Sequence, residues 1–208
     1  MPQRRNRREV LALAGIEVLA REGGRGLTHR AVDREAGVPE GTTKNYYPTR
    51  SALLVAIARY LADQHTAAMQ QLCDQVPRGV TAREITTLYS TMLQRMVTSA
   101  RAQLLALLEL HLEAVRNPQV RAQLGRMARA NVDAAVQLNG EAGRRMSRRG
   151  AALLDAGMLG VAISMLSLPE ELAQDIGLDD PELLARSLLS LGTVGHEPPF
   201  GVVRGYAG

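Results

Sequence analysis

Residues 27–54 read LTHRAVDREAGVPEGTTKNYYPTRSALL, and the order of helix-starting and helix-ending residues in this stretch decides the fold. Thr28 can cap a first helix, because its hydroxyl can accept a hydrogen bond from a free backbone N–H one turn in. Gly37 ends that helix, since glycine adopts the left-handed conformation at little cost. Pro48 stops a second helix, and a third begins at Arg50. The stretch therefore predicts helix, tight turn, helix, stop and a new helix.

The second of these helices, predicted at about Pro39–Tyr47, is short and carries small, polar and aromatic residues. Two short helices joined by a glycine turn form a helix-turn-helix, whose second helix enters the major groove of DNA. Each base pair presents a distinct pattern of donors and acceptors in that groove. The pattern therefore predicts a double-stranded DNA operator as a partner.

The same stretch closely resembles the DNA-binding half of the TetR family of repressors. The match covers about Leu11–Leu54, and its elements are Gly26-Leu27-Thr28, Ala31, Ala36-Gly37-Val38, Gly41-Thr42, Tyr47-Pro48-Thr49-Arg50 and Leu53-Leu54. The chain departs from the family pattern at Pro39, Thr43 and Lys44, where Ser, an apolar residue and Tyr are usual. These departures fall mostly on the groove-facing helix, so they concern the DNA sequence that is read and not the fold. Leu110–Pro118 is also similar to a segment frequent in family members of actinobacterial type.

This resemblance implies an all-α fold of about nine helices. It would combine an N-terminal three-helix helix-turn-helix DNA-binding domain with a larger C-terminal helical domain for ligand binding and dimerisation. We place the first domain at 1–49, with the helix-turn-helix at about 28–47. The second is expected at 50–195, followed by a Gly- and Pro-rich tail at 196–208. The last two helices of each subunit would form a four-helix interface in a homodimer.

The residues expected to contact DNA lie on or beside the second helix of the motif. We expect phosphate contacts from Thr28, Arg30, Thr42, Tyr46 and Arg50, base contacts from Thr43, Lys44 and Asn45, and a place for Gly41 in the same set. Lys44 can donate to guanine O6 and N7, and Asn45 can pair with adenine or reach a phosphate. Tyr47 occupies the family's Phe position and is expected to pack in the core. For each polar side chain, the alternative is an ordinary solvated surface residue.

Charge supports a polyanionic partner for the N-terminal part. Residues 1–50 hold ten Lys/Arg against six Asp/Glu, whereas residues 51–208 hold fifteen of each, so the net charge of +4 belongs to the first fifty residues. Met1–Arg8 forms a basic arm that can reach phosphates or a minor groove, and it is expected to be disordered without DNA. The alternative is a solvated basic tail. With 46% hydrophobic and 3% aromatic residues, the core must be aliphatic and helical.

Beyond residue 50, apolar periodicity predicts helices at about 50–76, 82–99, 101–116, 119–139, 150–168 and 181–191. The helix at 101–116 carries the predicted stripe Leu104, Leu108, His111, Leu112 and Val115. His111 and Asn131 are polar residues on apolar stripes, and a buried polar group needs a partner. By resemblance, their helices wall an effector cavity. We expect it to be lined by Met92, Met96, Leu108, His111, Met127, Asn131, Met158 and Met165. Methionine suits adaptable binding surfaces, although a satisfied core His or Asn and a plain methionine core are the alternatives.

The helix from Arg50 begins at the motif and ends in the second domain, so it is the only obvious mechanical connection that the sequence offers. Its residues 61–69 are expected to border the cavity. A ligand bound there would move the helix as a rigid lever and separate the two DNA-binding domains of the dimer.

Other classes of protein find little support. The apolar run Gly150–Leu168 is near membrane-spanning length, but Asp155 interrupts it, so we interpret it as a helix buried between two subunits and expect no membrane partner. Cys73 is the only cysteine, which fits a reducing cytoplasm. The sequence contains no nucleophile elbow, phosphate-binding glycine loop or metal-spaced His/Cys cluster, so we expect neither an enzyme nor a cofactor.

The sequence therefore predicts a DNA-binding transcriptional regulator, a repressor released from a palindromic operator by a small, largely apolar effector. One alternative is a DNA-binding regulator without a small-molecule effector. The alternative from another class is an enzyme on a helical scaffold.

Overall fold

The structure, a computed structural model, describes residues 6–193 and is all-α over that range. Its ten helices are α1 (Arg7–Gly26), α2 (His29–Glu35), α3 (Thr42–Tyr46), α4 (Arg50–Gln75), α5 (Ala82–Val97), α6 (Arg101–Ala114), α7 (Pro118–Glu141), α8 (Arg148–Ser167), α9 (Glu170–Asp175) and α10 (Pro181–Thr193). The predicted tail at 196–208 and most of the predicted basic arm lie outside the described residues.

The first hydrophobic core lies under α1, α2 and the beginning of α4. Its fully buried side chains include Leu11, Leu19, Leu53, Leu54 and Ile57. Tyr47 also packs there with 5% of its surface exposed, as the sequence predicted. This core continues into α6 and α7 through Leu110 and Val120, so apolar contacts cross the boundary predicted after residue 49. That boundary stays a prediction.

The second core lies among α5, α7, α8 and α10 and is almost entirely aliphatic. Ile85, Leu93, Leu138, Leu154 and Leu189 are each at most 2% exposed. Half-buried methionines, whose side chains adapt easily, pack at the edge of this core. The second core therefore has a fully buried aliphatic centre surrounded by flexible side chains.

Two predictions about the helices were wrong. The second helix of the motif, which we call the reading helix, spans only Thr42–Tyr46, because Gly41 adopts φ +93° and breaks helical geometry before it. Gly23 interrupts α1 near its end, where φ is +68°. The short helix α9 was missed, so the count is ten and not nine among the described residues. Pro169 followed by two acidic residues was the available signal for α9.

The stripe predicted on α6 was wrong in its second half, although Leu104 at its beginning is buried. Leu112 and Val115 are 62% and 69% exposed, whereas Ala106 and Leu110 are fully buried. The reason is that α6 packs along α1, and this contact selects the face with Ala106, Leu110 and Ala114. Because apolar residues occur on nearly every side of α6, its periodicity could not identify the inward face.

Helices α8 and α10 cross at close range. A Cβ atom at Gly150 would lie 2.0 Å from the carbonyl oxygen of Gly192, so the two backbones touch where these glycines meet. By length and composition α8 is apolar enough to cross a membrane, yet it packs against α7 and α10. Only 28% of its most apolar stretch is buried by the single chain. An apolar surface on α8 and α10 is therefore left uncovered, including Leu153, Leu183 and Leu191.

Replacing Gly150 with Ala tests this crossing. The added methyl group meets backbone, which cannot rotate away, so we expect a loss of about 1–3 kcal/mol in the free energy of unfolding. Gly125→Ala in α7 is the matched control, because its Cβ would have only an ordinary contact with Arg129, at 3.8 Å. The control should be neutral or slightly stabilising, since alanine favours helix. Chemical denaturation followed by circular dichroism measures both; equal stability of the two variants would contradict the close crossing.

Candidate nucleic-acid interface and interior polar cluster

Two side chains of α2, one helical turn apart, hold the two ends of α3. The Asp33 carboxylate accepts hydrogen bonds from the backbone N–H groups of Gly41 and Thr43, each at 2.7 Å, and from the Thr43 hydroxyl at 2.5 Å. At the other end, His29 Nε2 donates to the carbonyl oxygen of Tyr47 at 2.6 Å. Because a helix this short cannot stabilise itself, these bonds fix its orientation against α2.

The electrostatics of Asp33 follow from these contacts. Asp33 is only 2% exposed. Burial acts to raise the pKa of its carboxyl, but the hydrogen bonds from Thr43 and Gly41, with a smaller effect of His29, hold it below its usual value. The group is therefore ionised at neutral pH, and its bonds to the start of α3 are charge-assisted.

Thr43 requires a correction. The sequence placed it among the residues that face base edges, but its side chain has no exposed surface. Its hydroxyl and backbone N–H both donate to Asp33, and this pairing points the side chain into the module. An apolar residue is usual at this position of the family pattern, which was the signal that it faces inward.

The outer side of α3 is formed by Lys44, Asn45 and Tyr46, which are all exposed. Lys44 is the only lysine in the chain. The Arg8 guanidinium lies 5.7 Å from the centre of the Tyr46 ring, so a cation from the beginning of α1 extends this surface. We call Arg8, Lys44, Asn45 and Tyr46 the reading surface.

The remaining predicted DNA contacts lie around the reading surface, and each has a local role. The Thr28 hydroxyl accepts from the Ala31 N–H at 3.1 Å and caps α2, as the sequence predicted. The Thr42 hydroxyl donates to the Pro39 carbonyl at 2.6 Å. Arg30 is exposed and forms an ion pair with Glu40 at 2.5 Å, while Gly41 starts α3. Their contacts with DNA stay predictions.

Arg50, also predicted to reach a phosphate, joins three helices instead of projecting freely. Its guanidinium donates to the Gly24 carbonyl at 2.6 Å and to the Glu113 carboxylate on α6 at 2.9 Å. The Gly24 N–H donates to Glu109, also on α6, at 2.8 Å. We call these four residues the junction. It shows that α4 is not the only mechanical connection, because α6 also links the second half to α1, which packs against α2 of the helix-turn-helix.

A chain of half-buried polar contacts links three helices of the second half. His65 Nε2 on α4 donates to the side-chain oxygen of Asn131 on α7. The Asn131 amide then donates to Asp155 on α8 at 2.7 Å. Asn131 was a predicted site residue, whereas His65 and Asp155 were not. The residues 61–69 of α4, predicted to border a cavity, contain His65.

Two more titratable side chains belong to the same neighbourhood. Burial lowers the pKa of His111 on α6, and the negative charge of Asp155 opposes that shift. Burial also raises the pKa of Tyr89 on α5, with smaller effects of Cys73 and Asp155. We call His65, Tyr89, His111, Asn131 and Asp155 the polar cluster; its members come from five helices.

The other predicted ligand-binding residues are only partly brought together. Met92, Met96, Met158 and Met165 pack in or against the second core. Met127 belongs to the first core, so its predicted place beside the other methionines was wrong. It faces that core because α7 spans both halves and packs against α4. Leu108 is half-buried, and His111 is exposed on one side even though its surroundings lower its pKa.

Sequence reasoning missed residues whose partners are far away in the chain. His65 and Asn131 are 66 positions apart, and nothing local in α4 distinguishes His65. Asp155 did carry a signal, since it is the only charged residue within the apolar part of α8, but we used it only against a membrane span. Nothing local in α2 marked Asp33 as a buried acid, because its partners Gly41 and Thr43 lie across the turn.

The arrangement defines a class before any comparison is made: a short exposed helix held against another across a glycine turn, on an all-helical scaffold, is a helix-turn-helix protein. Residues 80–192 match the family model described as Tetracyclin repressor-like, C-terminal domain. The chain belongs to the TetR family of transcriptional regulators. No curated protein matches it.

Solved structures share the whole fold. The chain is similar to the multidrug binding protein EbrR complexed with ethidium, at 24% identity over 91% of this chain and 100% of that one, with a TM-score of 0.64. A TetR-family member from Streptomyces coelicolor A3 is 25% identical, over 91% and 100% of the two chains, with a TM-score of 0.64. A transcriptional regulator from Rhodococcus sp. Rha1 is 19% identical over 92% and 100%, with a TM-score of 0.71.

Asp33→Asn tests the support of α3. The substitution replaces one of the two accepting oxygens with an NH₂ group, so one backbone N–H at the start of α3 faces a donor and loses its acceptor. We therefore expect the free energy of unfolding to fall by about 1–3 kcal/mol at neutral pH. Asp63→Asn is the control, because it removes only a surface ion pair with Arg126, which is worth at most about 1 kcal/mol. Urea denaturation of wild type and both variants measures the difference.

The pH dependence of this effect has a defined sign. The folded-state pKa of Asp33 is lowered, so its stabilising contribution is present above the unfolded value of about 3.9 and disappears as the pH falls through the folded value. The stability difference between wild type and Asp33→Asn should therefore shrink in acid below that range. A difference that stays constant down to low pH would contradict the charge-assisted support.

Proposed function

We propose that this TetR-family regulator is a repressor that binds a palindromic operator as a homodimer in the cytoplasm and is released by a small-molecule effector. The observation that carries the DNA part is the reading surface, which is exposed while the helix that bears it is held at both ends by α2. Rigid support for an exposed reading helix is what sequence-specific contact in a major groove requires.

Uncovered apolar surface supports the homodimer. Leu153 on α8 and Leu183 on α10 are each 47% exposed, and Leu191 is 63% exposed, although neighbouring residues of both helices form the second core. A continuous apolar face on two adjacent helices indicates an interface. Two copies packed through α8 and α10 would bury it in a four-helix arrangement and present two reading surfaces. Half-sites about 34–36 Å apart, or at a variant of that spacing, would match them.

The polar cluster supports the effector part, because hydrogen-bonded groups from several helices converge at the rim of the second core. Two helices then join it to the DNA side. α4 carries His65 and begins at Arg50, and α6 carries His111 between the two carboxylates of the junction. A ligand that prefers a shifted arrangement of α4 and α6 would separate the reading surfaces, to an extent set by its differential affinity for the two states.

The similarity to EbrR adds support for a ligand-binding second half, since that protein was solved with ethidium, proflavin and imidazole. A regulator without an effector would need a second half that responds to no compound. An enzyme would need turnover, and the polar cluster offers no nucleophile paired with a base. We therefore favour the ligand-responsive repressor over both alternatives.

The experiment that tests DNA reading starts with selection of bound sequences from random double-stranded DNA, followed by Lys44→Ala. If Lys44 contacts a base, the variant should lose about 1–3 kcal/mol of discrimination between the selected operator and random DNA. Because Lys44 is the only lysine, bound operator should also protect its amine from reductive methylation, measured by mass spectrometry.

Arg83→Ala is the matched control for Lys44. It removes one exposed cation of α5 that lies outside the reading surface, so it should keep the sequence preference of wild type. Unaltered preference in Lys44→Ala would refute its place in the groove. Failure to select any DNA sequence would refute the proposed function itself.

Leu153→Glu tests the homodimer. Its side chain is exposed in the single chain, so the charge should leave the subunit folded but should disrupt an apolar interface and give monomers with lost operator affinity. Leu112→Glu is the control, because Leu112 is 62% exposed on α6, away from the proposed interface. Analytical ultracentrifugation reports the mass of each. A Leu153→Glu dimer with normal affinity would remove α8 from the interface.

A further inference from the structure

Asp155 lies on the inward side of α8, one turn from the buried Ala151 and Met158. It is half-buried, and none of the described arginines, nor Lys44, forms an ion pair with it. Asp33 has several donors and Glu113 has a cationic partner, whereas Glu109 accepts a single backbone N–H. Asp155 is thus a half-buried acid without a cation, and it lies beside the apolar side chains of the second core.

The only hydrogen bond to its carboxylate within the described residues comes from the Asn131 amide, which is neutral. The remaining acceptor capacity of the carboxylate is unused. Tyr89 lies close enough for the charge of Asp155 to act on its pKa, yet its hydroxyl donates to no described group. Within residues 6–193, the polar cluster thus has one acceptor and one donor that no side chain or backbone group engages.

Neither histidine of the polar cluster forms an ion pair with Asp155 within the described residues. Burial lowers the pKa of His111, which favours the neutral imidazole at ordinary pH. His65 is engaged with the oxygen of Asn131 and not with Asp155 itself. Burial raises the pKa of Asp155, while Asn131 and the two histidines act in the opposite direction. A partly desolvated acid without a cation is costly, and such groups concentrate at functional sites.

We propose that the effector site takes an organic cation, whose positive charge lies against the carboxylate of Asp155 and whose apolar body packs against the second core beside Met158 and Met92, one turn from Asp155 and Tyr89 on their helices. This inference rests on the proposed ligand-responsive function and names the chemical class of its ligand. Methionine side chains adapt to flat or irregular apolar groups, and the polarisable sulfur tolerates aromatic ones.

A cation is the occupant favoured by the charges of the cluster. A neutral ligand would leave the carboxylate as it is, and an anion would add repulsion in a region of low dielectric constant. A cation would convert the desolvated acid into a buried pair, with Asn131 already holding the carboxylate in place. Aspartate has only one methylene group between the backbone and the carboxylate. The carboxylate of Asp155 therefore stays close to α8, and the cation must approach it there.

The test compares two probes of nearly equal shape: N-methylacridinium, a permanent cation, and acridine, which is uncharged at mildly alkaline pH. Binding to the full chain is measured by calorimetry in the absence of DNA, because planar cations also bind DNA. We expect wild type to prefer the cation. Asp155→Asn should lower the affinity for N-methylacridinium by about tenfold to a hundredfold, the range of a charge-assisted contact, and should leave acridine binding nearly unchanged.

Two further variants make the result interpretable. Asp175→Asn removes the same charge from an exposed position on α9 and should keep the preference for the cation. Asp155→Leu removes the charge with an apolar side chain, so it should bind acridine at least as well as wild type does. Thermal unfolding followed by circular dichroism shows whether each variant is folded. If Asp155→Asn is unstable, the affinities of Asp155→Leu for the two probes still test the role of the charge.

Equal affinity of wild type for the two probes, equal losses in Asp155→Asn and Asp175→Asn, or no binding of either probe would each overturn the cation proposal. The proposed function has its own readout, which is release of the selected operator by any compound. Release by a neutral compound alone would support the ligand-responsive repressor and contradict the cation proposal. Operator binding that no compound alters would instead favour a regulator without an effector.

Discussion

The five-residue reading helix cannot hold itself in place, and the bonds that α2 makes to its ends are the constraint on which the DNA-facing half depends. Asp33 satisfies the free N–H groups at its start, and His29 donates to the carbonyl at its end. These contacts bury the polar Thr43 and leave Lys44 and Asn45 outward. Because the α2 side chains that hold α3 lie within about twenty residues of it in sequence, the module is locally defined, and its orientation is set by α2.

The position of that module relative to the rest of the chain depends on a different set of contacts. α6 packs along α1, and its carboxylates meet the backbone of Gly24 and the guanidinium of Arg50. The first core continues from α1 and α4 into α6 and α7, so the halves share apolar surface as well as ion pairs. A displacement of α6 would therefore reach the reading helix through both kinds of contact, which supports a two-helix lever in place of one.

In the second half, polar groups are few, and those present are connected. Asn131 joins His65 to Asp155 and so links α4, α7 and α8, while His111 and Tyr89 approach from α6 and α5. A half-buried polar network at the rim of an aliphatic core favours one arrangement of the helices, because each member that loses its partner there is costly. If a ligand completes this network, its binding is coupled to the relative positions of α4 and α6, and these are the helices that reach the junction.

By itself the sequence determined the helical class, the helix-turn-helix and its caps, since these depend on glycine, proline and threonine at local spacings that physics ties to one conformation. It also indicated Asn131 as a polar residue on an apolar face. Only the tertiary structure decided which side of α6 is buried, that Met127 faces the first core, that Asp33 holds Thr43 inward, and that His65 meets Asn131 across 66 positions. Helical periodicity identifies a face only where apolar and polar residues segregate, and contacts between distant helices leave no local pattern in the chain.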